Sequence, residues 1–330
     1  MHGENDVHTL VIGRDAMACR FEIVFNAGEV SDATAIAVDC LDLVDEIEDR
    51  ITVYRDTSEL ARLNATAADG WQPVSADLLP LLLQARDLHG RTGGAFDMAA
   101  GALVRTWGFL RRQGRTPSAE ELAQSRAAAG MHLVELDEAG SRVRFGRPGV
   151  ELNPGAIGKG WAIDRVMERL RDAGVESALV HGGSSSVRAM GGQGTGRRSW
   201  PVGMRHPLRP GRRLATVQLE DKALGTSGSD TQFFIERGRR LGHILDPRTG
   251  VPAEGVLSAT VVAATAAEAD SLSTALYVLG PAGLSLVAPP DGTVGAILVV
   301  SGEAAGAVRV LTSNLADDTF AIEPGEGVET

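Results

Sequence analysis

One histidine lies just ahead of a short loop that is rich in turn-forming residues. The segment HILDPRTGVP (243–252) contains the pairs Asp-Pro and Thr-Gly, which favour a tight turn. A positioned imidazole at His243 can take or give a proton near neutral pH, so it is a candidate general base. Arg248 can pair with a phosphate or with Asp246. The alternative interpretation is a hairpin turn with an incidental histidine.

An aspartate and a threonine lie one turn apart on a predicted helix. In TAAEADSLSTALYVLG (265–280), the capping-box pattern of Thr265 and Glu268 indicates the helix start. Asp270 and Thr274 then share one face of the helix. Their carboxylate and hydroxyl offer two oxygen ligands to a hard cation such as Mg²⁺. The alternative is a polar stripe in which the Thr274 hydroxyl bonds back to its own helix.

A glycine-rich stretch, ELNPGAIGKGWAID (151–164), surrounds the start of another predicted helix. Backbone N–H groups at such a start can bind phosphate, and the ammonium group of Lys159 can neutralise it. The stretch has neither the GxxxxGK[ST] pattern of P-loops nor the GxGxxG pattern of dinucleotide-binding folds. A phosphate site and an ordinary glycine-rich helix start are both compatible with it.

Four further segments carry candidate binding residues: DAMACRF (15–21), ITVYRDTSELARLN (51–64), RTGGAFDMAAGALVRTWGF (91–109) and GTSGSD (225–230). Tyr54 and Trp107 are two of few aromatic residues in the chain, and a flat ring ligand can stack on either. Packing in the hydrophobic core is the alternative role for each.

These residues need elements that hold them together, and the hydrophobic spacing predicts both strands and helices. Phe21, Ile23 and Phe25 alternate on one strand face. Strands are expected at 10–25 (a pair), 133–136 with 142–145 (a hairpin), 178–181, 214–219, 258–264 and 294–301. Helices are expected from a Ser31 cap to about Arg50, and at 76–89, 118–129, 159–173 and 266–279. The helix at 118–129 has a capping box of Ser118 and Glu121. The order lacks a regular βαβ alternation. It therefore favours an α+β fold with largely antiparallel sheets over a doubly wound parallel sheet.

Composition excludes several classes of protein. The chain has 330 residues, 43% of them hydrophobic, which is enough for a sizeable core and is typical of a globular protein. The net charge of −11 argues against nucleic acid as a partner, because polyanions bind through a surplus of Lys and Arg. Only Cys19 and Cys40 are present, so a disulfide scaffold is excluded. Glycine is abundant, with 40 residues.

The first residues of the chain and its hydropathy pattern indicate where in the cell the protein is expected. The first fifteen residues lack a basic region followed by an apolar one, and no run of about 18 apolar residues suggests a membrane span. We expect a cytoplasmic protein as given, although a longer precursor can be exported. A single domain over 1–330 is expected, with a core at about 10–301 and a flexible acidic tail at 318–330.

Taken together and in order, these segments resemble the ApbE-like FAD:protein FMN transferases. The resemblance rests on GAFD followed by WGF, on GAIGKGWAID, VHGGS and TSG, and on HILDPRTGVP and ADSLSTALYVLG. It extends from about residue 10 to about residue 301. The family implies an ApbE-like, T-fold-related α+β architecture. It also implies Mg²⁺-dependent transfer of the FMN half of FAD to a Ser or Thr hydroxyl of a target flavoprotein, with release of AMP.

The resemblance also implies roles for particular residues. His243 is expected to activate the acceptor hydroxyl, with Asp270 also in the catalytic centre. Asp270, Thr274 and the backbone carbonyl of Ala156 are the expected Mg²⁺ ligands. The residues expected to line the FAD site are Met17, Tyr54, Ala95, Phe96, Asp97, Asn153, Lys159 and Ser227.

Two departures from the family pattern keep other functions open. Asn153 stands where the family usually has Asp, and Ser184 stands where an acid usually follows the two glycines. An alternative is a Mg²⁺-dependent FAD pyrophosphatase that uses water as the acceptor and yields FMN and AMP. Another is an FAD-binding protein without turnover. No convincing acceptor motif is found in the chain itself, so the expected target is another polypeptide.

Overall fold

Helices and strands are interspersed along the chain without a regular repeat. The computed structural model describes residues 8–194, 196–228, 232–316, 318–325 and 327–329. Its α-helices are α1 (Ala33–Ile51), α2 (Glu59–Thr66), α3 (Leu78–Arg91), α4 (Gly101–Thr106), α5 (Ala119–Ala127), α6 (Gly158–Asp172), α7 (Ala266–Leu279) and α8 (Leu284–Val287). Within these described ranges, no helix is both long and apolar enough to cross a membrane.

The strands run from one end of the chain to the other. They are β1 (Thr9–Ala16), β2 (Cys19–Asn26), β3 (Gln72–Pro73), β4 (Val134–Asp137), β5 (Arg142–Phe145), β6 (Ala178–Gly182), β7 (Ser186–Met190), β8 (Trp200–Arg205), β9 (Arg213–Leu219), β10 (Ala223–Gly228), β11 (Phe233–Glu236), β12 (Arg239–Gly242), β13 (Leu245–Asp246), β14 (Val251–Pro252), β15 (Ser258–Ala263), β16 (Gly295–Ser301), β17 (Val308–Ser313), β18 (Phe320–Ile322) and β19 (Val328–Glu329).

A nine-stranded sheet forms the centre of the fold. Its order is β1-β2-β6-β7-β10-β15-β16-β17-β19, and every neighbouring pair is antiparallel except β17 with β19. Smaller sheets have the orders β18-β9-β8 and β3-β5-β4, and β11-β12 and β13-β14 are two-stranded. The expectation of an α+β fold with largely antiparallel sheets is confirmed.

Two apolar layers cover the two faces of the central sheet. One contains Phe21, Ile23 and Phe25 of β2, which pack with residues of α1, α6 and α7. The other contains residues of β7, β10, β15 and β16, which pack with the small sheet β18-β9-β8. Strands alternate their side chains between faces, so the apolar period of two in β2 selects its buried face. A third cluster, around Trp107 and Phe109, lies beside β12.

Some helices begin at a local sequence signal, and others do not. Ser118 and Glu121 form the reciprocal capping box at the start of α5. Helix α1, however, is not capped by Ser31. It begins at Ala33, and Asp32 takes the N-cap position in a left-handed conformation (φ 57°) without a side-chain cap. Ser31 therefore lies one residue outside the cap position, which corrects the expected helix start.

The acidic end of the chain, where a flexible tail is expected at 318–330, contains two short paired strands. Phe320–Ile322 pairs with β9, and Val328 pairs with Val308 of β17. Arg213 lies 3.9 Å from the Glu323 carboxylate. The described part of this segment is thus held by strand pairing and by charge complementarity with the arginine-rich region before β9. Residues 317, 326 and 330 lie outside the described residues.

Helices α6 and α7 cross with their backbones almost in contact. A Cβ atom placed on Gly160 would lie 2.2 Å from the Ala266 carbonyl oxygen. Four residues farther along α6, the Asp164 carboxylate accepts hydrogen bonds from the N–H groups of Ala266 (2.8 Å) and Ala267 (2.9 Å). Arg188 of β7 pairs with the same carboxylate at 2.5 Å. Asp164 thus caps α7 from a neighbouring helix, because the first N–H groups of a helix lack intrahelical partners.

We expect Gly160→Ala to lower the free energy of unfolding by about 1–3 kcal/mol, because the methyl group forces α6 and α7 apart. Gly90 provides a matched control, since it is also helical and a Cβ there meets nothing within 4 Å. Gly90→Ala is expected to leave stability unchanged or to raise it by up to about 1 kcal/mol. Urea unfolding measures both variants, and equal stability of the two would contradict the close-packing argument.

Candidate active site

Asp270 lies at the meeting point of α6, α7 and β7. Its Oδ2 accepts hydrogen bonds from the backbone N–H of Gly160 and from the Ser186 hydroxyl, each at 2.9 Å. Gly225 of β10 lets the helix approach the sheet, because a Cβ there would lie 2.6 Å from the Asp270 nitrogen. The two donors fix the carboxylate orientation through one oxygen.

Burial dominates the electrostatics of this carboxylate. Asp270 is only 7% exposed, and burial raises its pKa to about 6 although the charge of Lys159 opposes the shift. Among the described residues, no Lys or Arg forms a direct ion pair with it. A buried carboxylate without an ion-pair partner is costly in the metal-free protein, and a bound cation would offset that cost.

The Thr274 hydroxyl lies in a small network beside Asp270. It donates to the Asp270 carbonyl oxygen at 3.1 Å, so the bond back to the helix that was considered as its alternative role is present. It also lies 3.0 Å from the Ser227 hydroxyl, which is 2.9 Å from that of Ser273. The structure thus brings Ser227 of the TSG turn directly against Thr274.

The loop before α6 contacts α7 next to Asp270. The Ser271 hydroxyl of α7 donates weakly to the Ala156 carbonyl oxygen at 3.5 Å. Asn153 is fixed by its N–H, which donates to the Met98 carbonyl at 2.7 Å, and its side-chain oxygen accepts from the Gly155 N–H at 2.9 Å. Asn153 therefore shapes the turn that carries Ala156 toward α7.

Lys159 supplies a positive charge that acts on Asp270 from the start of α6. Its ammonium group donates to the Ser185 hydroxyl at 2.5 Å. The β1–β2 turn lies near Lys159. Burial raises the pKa of the thiol of Cys19, the first residue of β2, and the positive charge of Lys159 opposes this rise. Met17 lies in that turn at φ 49°, and its N–H donates to Glu48 at 2.6 Å. A surface cavity of about 480 Å³ opens there.

Tyr54 presents its ring to solvent beyond the end of α1. It is 72% exposed, which leaves a large apolar face available for stacking. Ile51, three residues earlier, would contact a Cβ on Gly158 at 3.2 Å, so this part of the chain lies near the start of α6.

The GAFD segment lies inside the protein. Ala95 and Phe96 are each 1% exposed. Asp97 accepts hydrogen bonds from the N–H groups of Ala99 (2.7 Å) and Met131 (3.2 Å), and its Oδ2 lies 3.1 Å from His89. This carboxylate raises the pKa of His89 above its ordinary value. The Asp97 side chain is thus engaged in holding its own loop, and its role toward a nucleotide stays a prediction.

His243 is positioned by elements other than those around Asp270. Both its backbone N–H (3.1 Å) and its Nδ1 (3.0 Å) contact the Gln232 carbonyl oxygen. A carbonyl only accepts hydrogen bonds, so this contact favours the tautomer with the proton on Nδ1 and leaves Nε2 as the basic nitrogen. The Phe109 ring meets the imidazole edge-on at 6.5 Å between centroids.

The loop after His243 is a turn that its own arginine, Arg248, helps to hold. Arg248 pairs with Asp246 through two contacts of 2.9 Å, which is one of the two roles considered for it. The Trp107 indole N–H donates to the Gly250 carbonyl at 2.7 Å. Trp107 is 4% exposed, so the packing role applies to this aromatic residue.

Three residues that surround Lys159 and Asp270 were not predicted from the sequence. Ser185 and Ser186 bond Lys159 and Asp270, and Gly225 admits the helix. The run of three serines after VHGG was the available signal for the first two, whereas a glycine gives no indication of which backbone it approaches. Cysteine and histidine chemistry does not contribute a metal cluster: within the described part of the chain, no group of three or more His, Cys, Asp or Glu side chains could hold a metal ion.

Comparison with known proteins identifies the family of this chain. The model of the ApbE family matches residues 17–298. The FAD:protein FMN transferase of Haemophilus influenzae is 32% identical over 246 residues, which cover 72% of this chain and 70% of that protein. The enzyme of the same name from Vibrio cholerae is 31% identical over 256 residues, with 76% and 75% covered.

Solved structures agree over nearly the whole chain. The ApbE protein from Thermotoga maritima superposes with a TM-score of 0.83 at 28% identity, covering 93% of this chain and 97% of that one. The apo form of the flavinyl transferase ApbE from Pseudomonas stutzeri gives a TM-score of 0.82 at 27% identity, with 95% and 97% covered.

We expect Asp270→Asn to stabilise the metal-free protein at pH 8. Because the folded state holds the Asp270 proton more tightly than the unfolded chain, the penalty from this group grows as pH rises from about 4 to about 6 and is complete above that range. The variant removes it, a gain of up to about 3 kcal/mol.

Urea unfolding in EDTA at pH 8 and pH 4.5 measures this gain, which should shrink at the lower pH. Asp172→Asn on exposed α6 surface is the control and should show no such difference. A variant no more stable than wild type at pH 8 would contradict the assigned burial cost.

Proposed function

This chain belongs to the ApbE family and transfers FMN from FAD to a protein; we propose that the acceptor is a Ser or Thr hydroxyl of a target flavoprotein. The hydroxyl oxygen attacks the phosphorus on the FMN side of the FAD pyrophosphate. The bond from that phosphorus to the bridging oxygen breaks, AMP leaves, and a phosphoester bond joins FMN to the acceptor. The proton of the hydroxyl passes to a base.

What supports this proposal is the buried Asp270 carboxylate, with Thr274 one turn farther along α7, the Ala156 carbonyl in contact with Ser271 of the same helix, and the charge of Lys159 acting on Asp270. The first three of these groups are hard oxygen donors, a set that suits Mg²⁺. When bound, Mg²⁺ supplies charge neutralisation at the pyrophosphate. The Gly160 N–H and Ser186 hydroxyl hold Asp270 through Oδ2, which leaves Oδ1 oriented for this purpose.

Lys159 and the start of α6 fit a phosphate group. The helix contributes backbone N–H groups, and the Lys159 ammonium is anchored by Ser185. In a chain of net charge −11, such a local cationic group is needed to attract a phosphate anion. The exposed ring of Tyr54 and the Met17 turn are proposed to contact the flavin nucleotide, as are the backbone of residues 95–97 and the Asn153 and Ser227 side chains.

His243 fits the role of the base. The Gln232 carbonyl oxygen engages Nδ1, so Nε2 accepts the proton of the acceptor hydroxyl as the new phosphoester bond forms. Phe109 restricts the ring position from its edge.

For Asp270→Ala we expect loss of Mg²⁺-dependent AMP release from FAD and loss of the rise in melting temperature that Mg²⁺ gives wild type. Thr274 offers a matched pair, because Thr274→Ser keeps the hydroxyl and Thr274→Val removes it. The serine variant should retain Mg²⁺ stabilisation, and the valine variant should weaken it about 10–100-fold in affinity. Thermal unfolding with Mg²⁺ titration measures this, and wild-type behaviour of Asp270→Ala would reject the metal assignment.

For His243→Ala we expect unchanged FAD affinity and transfer slowed by about 10²–10⁴-fold, the usual contribution of a general base. His132→Ala, at an exposed histidine, serves as the control. Mass spectrometry of the acceptor and chromatography of free FMN and AMP give the two readouts. Wild-type transfer by His243→Ala would reject its role as base. An unmodified acceptor with FMN accumulating in the wild-type reaction would instead establish hydrolysis.

A further inference from the structure

The turn between β1 and β2 has a backbone conformation that its residues do not favour. The strand pairing ends with Ala16 opposite Cys19, so Met17 and Ala18 are the two residues of this β1–β2 turn. Both have a positive φ, 49° and 58°. Two-residue hairpin turns with this backbone ordinarily contain Asn, Asp or Gly, because a Cβ atom disfavours the left-handed region. The turn is therefore strained at both positions.

A carboxylate from another element holds this turn. Glu48 lies near the end of α1, and its Oε2 accepts a hydrogen bond from the Met17 N–H at 2.6 Å. Such a bond to an ionised acceptor is stronger than one between neutral groups. The hydrogen bond thus offsets the strain of the turn from a position 31 residues away in the chain.

The turn and Glu48 together line a cavity. Its volume is about 480 Å³, and it is lined by residues 15–20 and by Glu48. Sites for small molecules typically have volumes of about 300–1,000 Å³, so this cavity has the size of a ligand site. The conformation of the turn determines the shape of its wall.

The strand that follows the turn is joined to the segment that anchors Lys159. The Gly183 N–H donates to the Arg20 carbonyl oxygen at 2.7 Å, and a Cβ on Gly183 would lie 3.3 Å from the Cys19 Cβ. Two residues farther along, the Ser185 hydroxyl accepts from the Lys159 ammonium group. The cavity wall is therefore held in a defined position relative to the Lys159 charge.

We propose that Glu48 is a positioning residue for FAD, because its carboxylate holds the β1–β2 turn in the left-handed conformation in which the cavity beside Lys159 accepts the nucleotide. Glu48 acts through the turn rather than on the reacting atoms. Without its hydrogen bond, only a fraction of the molecules keeps the turn in place, and the apparent affinity for FAD falls by that fraction. This role rests on the proposed transfer reaction, which makes FAD the ligand of the cavity.

The test compares three substitutions on α1. Glu48→Ala removes the hydrogen-bond acceptor, whereas Glu48→Gln keeps a neutral one. Glu46→Ala is the matched control, because Glu46 is an exposed acidic residue of the same helix. Polarisation of FAD fluorescence in the presence of Mg²⁺ measures the Kd, and hydrogen exchange with mass spectrometry measures how well the amides of the turn are protected.

We expect Glu48→Ala to raise the Kd for FAD about tenfold and to speed exchange in fragments that contain residues 17–19. Removal of a negative charge would by itself favour the anionic FAD, so weaker binding reports the loss of the turn conformation. Glu48→Gln should stay within about threefold of wild type, because its side-chain carbonyl still accepts from the Met17 N–H. Glu46→Ala should match wild type in both measurements.

A substitution in the turn separates the hydrogen bond from other effects of Glu48. In Ala18→Gly this residue adopts the left-handed backbone without the strain of a Cβ atom, so the turn depends less on the carboxylate. In that background, Glu48→Ala should weaken FAD binding less than about threefold, against about tenfold in the wild-type background. Urea unfolding of each protein verifies that all of them are folded.

An unchanged Kd for Glu48→Ala, or an equal loss of affinity in the two backgrounds, would overturn the positioning role of Glu48. So would a loss for Glu48→Gln or Glu46→Ala as large as that for Glu48→Ala, because charge rather than the hydrogen bond would then be responsible. A wild-type protein that binds FAD with this dependence on Glu48, but releases no AMP and leaves an acceptor protein unmodified, would support the positioning role and count against the transfer reaction.

Discussion

The close packing of α7 between α6 and β10 is the constraint on which the site depends. Gly160 and Gly225 remove side chains from the two contact points, so that the α7 backbone lies against both neighbours. The same approach brings the Gly160 N–H to the Asp270 carboxylate and sets Thr274 against Ser227. Side chains larger than glycine would separate the elements that carry Lys159, Asp270 and Thr274.

Two buried carboxylates on these helices are stabilised in different ways. Asp164 has a full set of partners, since Arg188 and the first N–H groups of α7 surround it. Burial raises the pKa of both carboxyl groups, but within the described residues Asp270 accepts hydrogen bonds on one oxygen only. The Asp164 carboxylate joins the crossing helices through both of its oxygens, whereas the Asp270 carboxylate is held through one. The protein thus combines a firmly held helix crossing with a less completely bonded carboxylate one turn farther along α7.

Local signals predicted many elements, and tertiary contacts decided several of their details. The apolar alternation of β2 and the capping box of α5 were read correctly because both signals act within a few residues. The expected box at the start of α7 is only half present: Thr265 accepts from the Glu268 N–H, but the Glu268 carboxylate pairs with Arg91 at 2.7 Å. At the acidic end of the chain, two short strands pair with β9 and β17, and no local signal in the sequence indicated those partners.

By itself, the sequence determined the α+β class, the family pattern and the pairing of Asp270 with Thr274 on one helical face, because these follow from spacing along the chain. Only the tertiary structure decided what surrounds them. Ser185 and Ser186 meet Lys159 and Asp270 across long sequence separations, and the Gln232 carbonyl oxygen lies 3.0 Å from Nδ1 of His243. The residue types also did not indicate that the Asp97 side chain is enclosed in its own loop while the Tyr54 side chain faces solvent. Such partners depend on which strands and helices become neighbours, and spacing along the chain does not encode those distances.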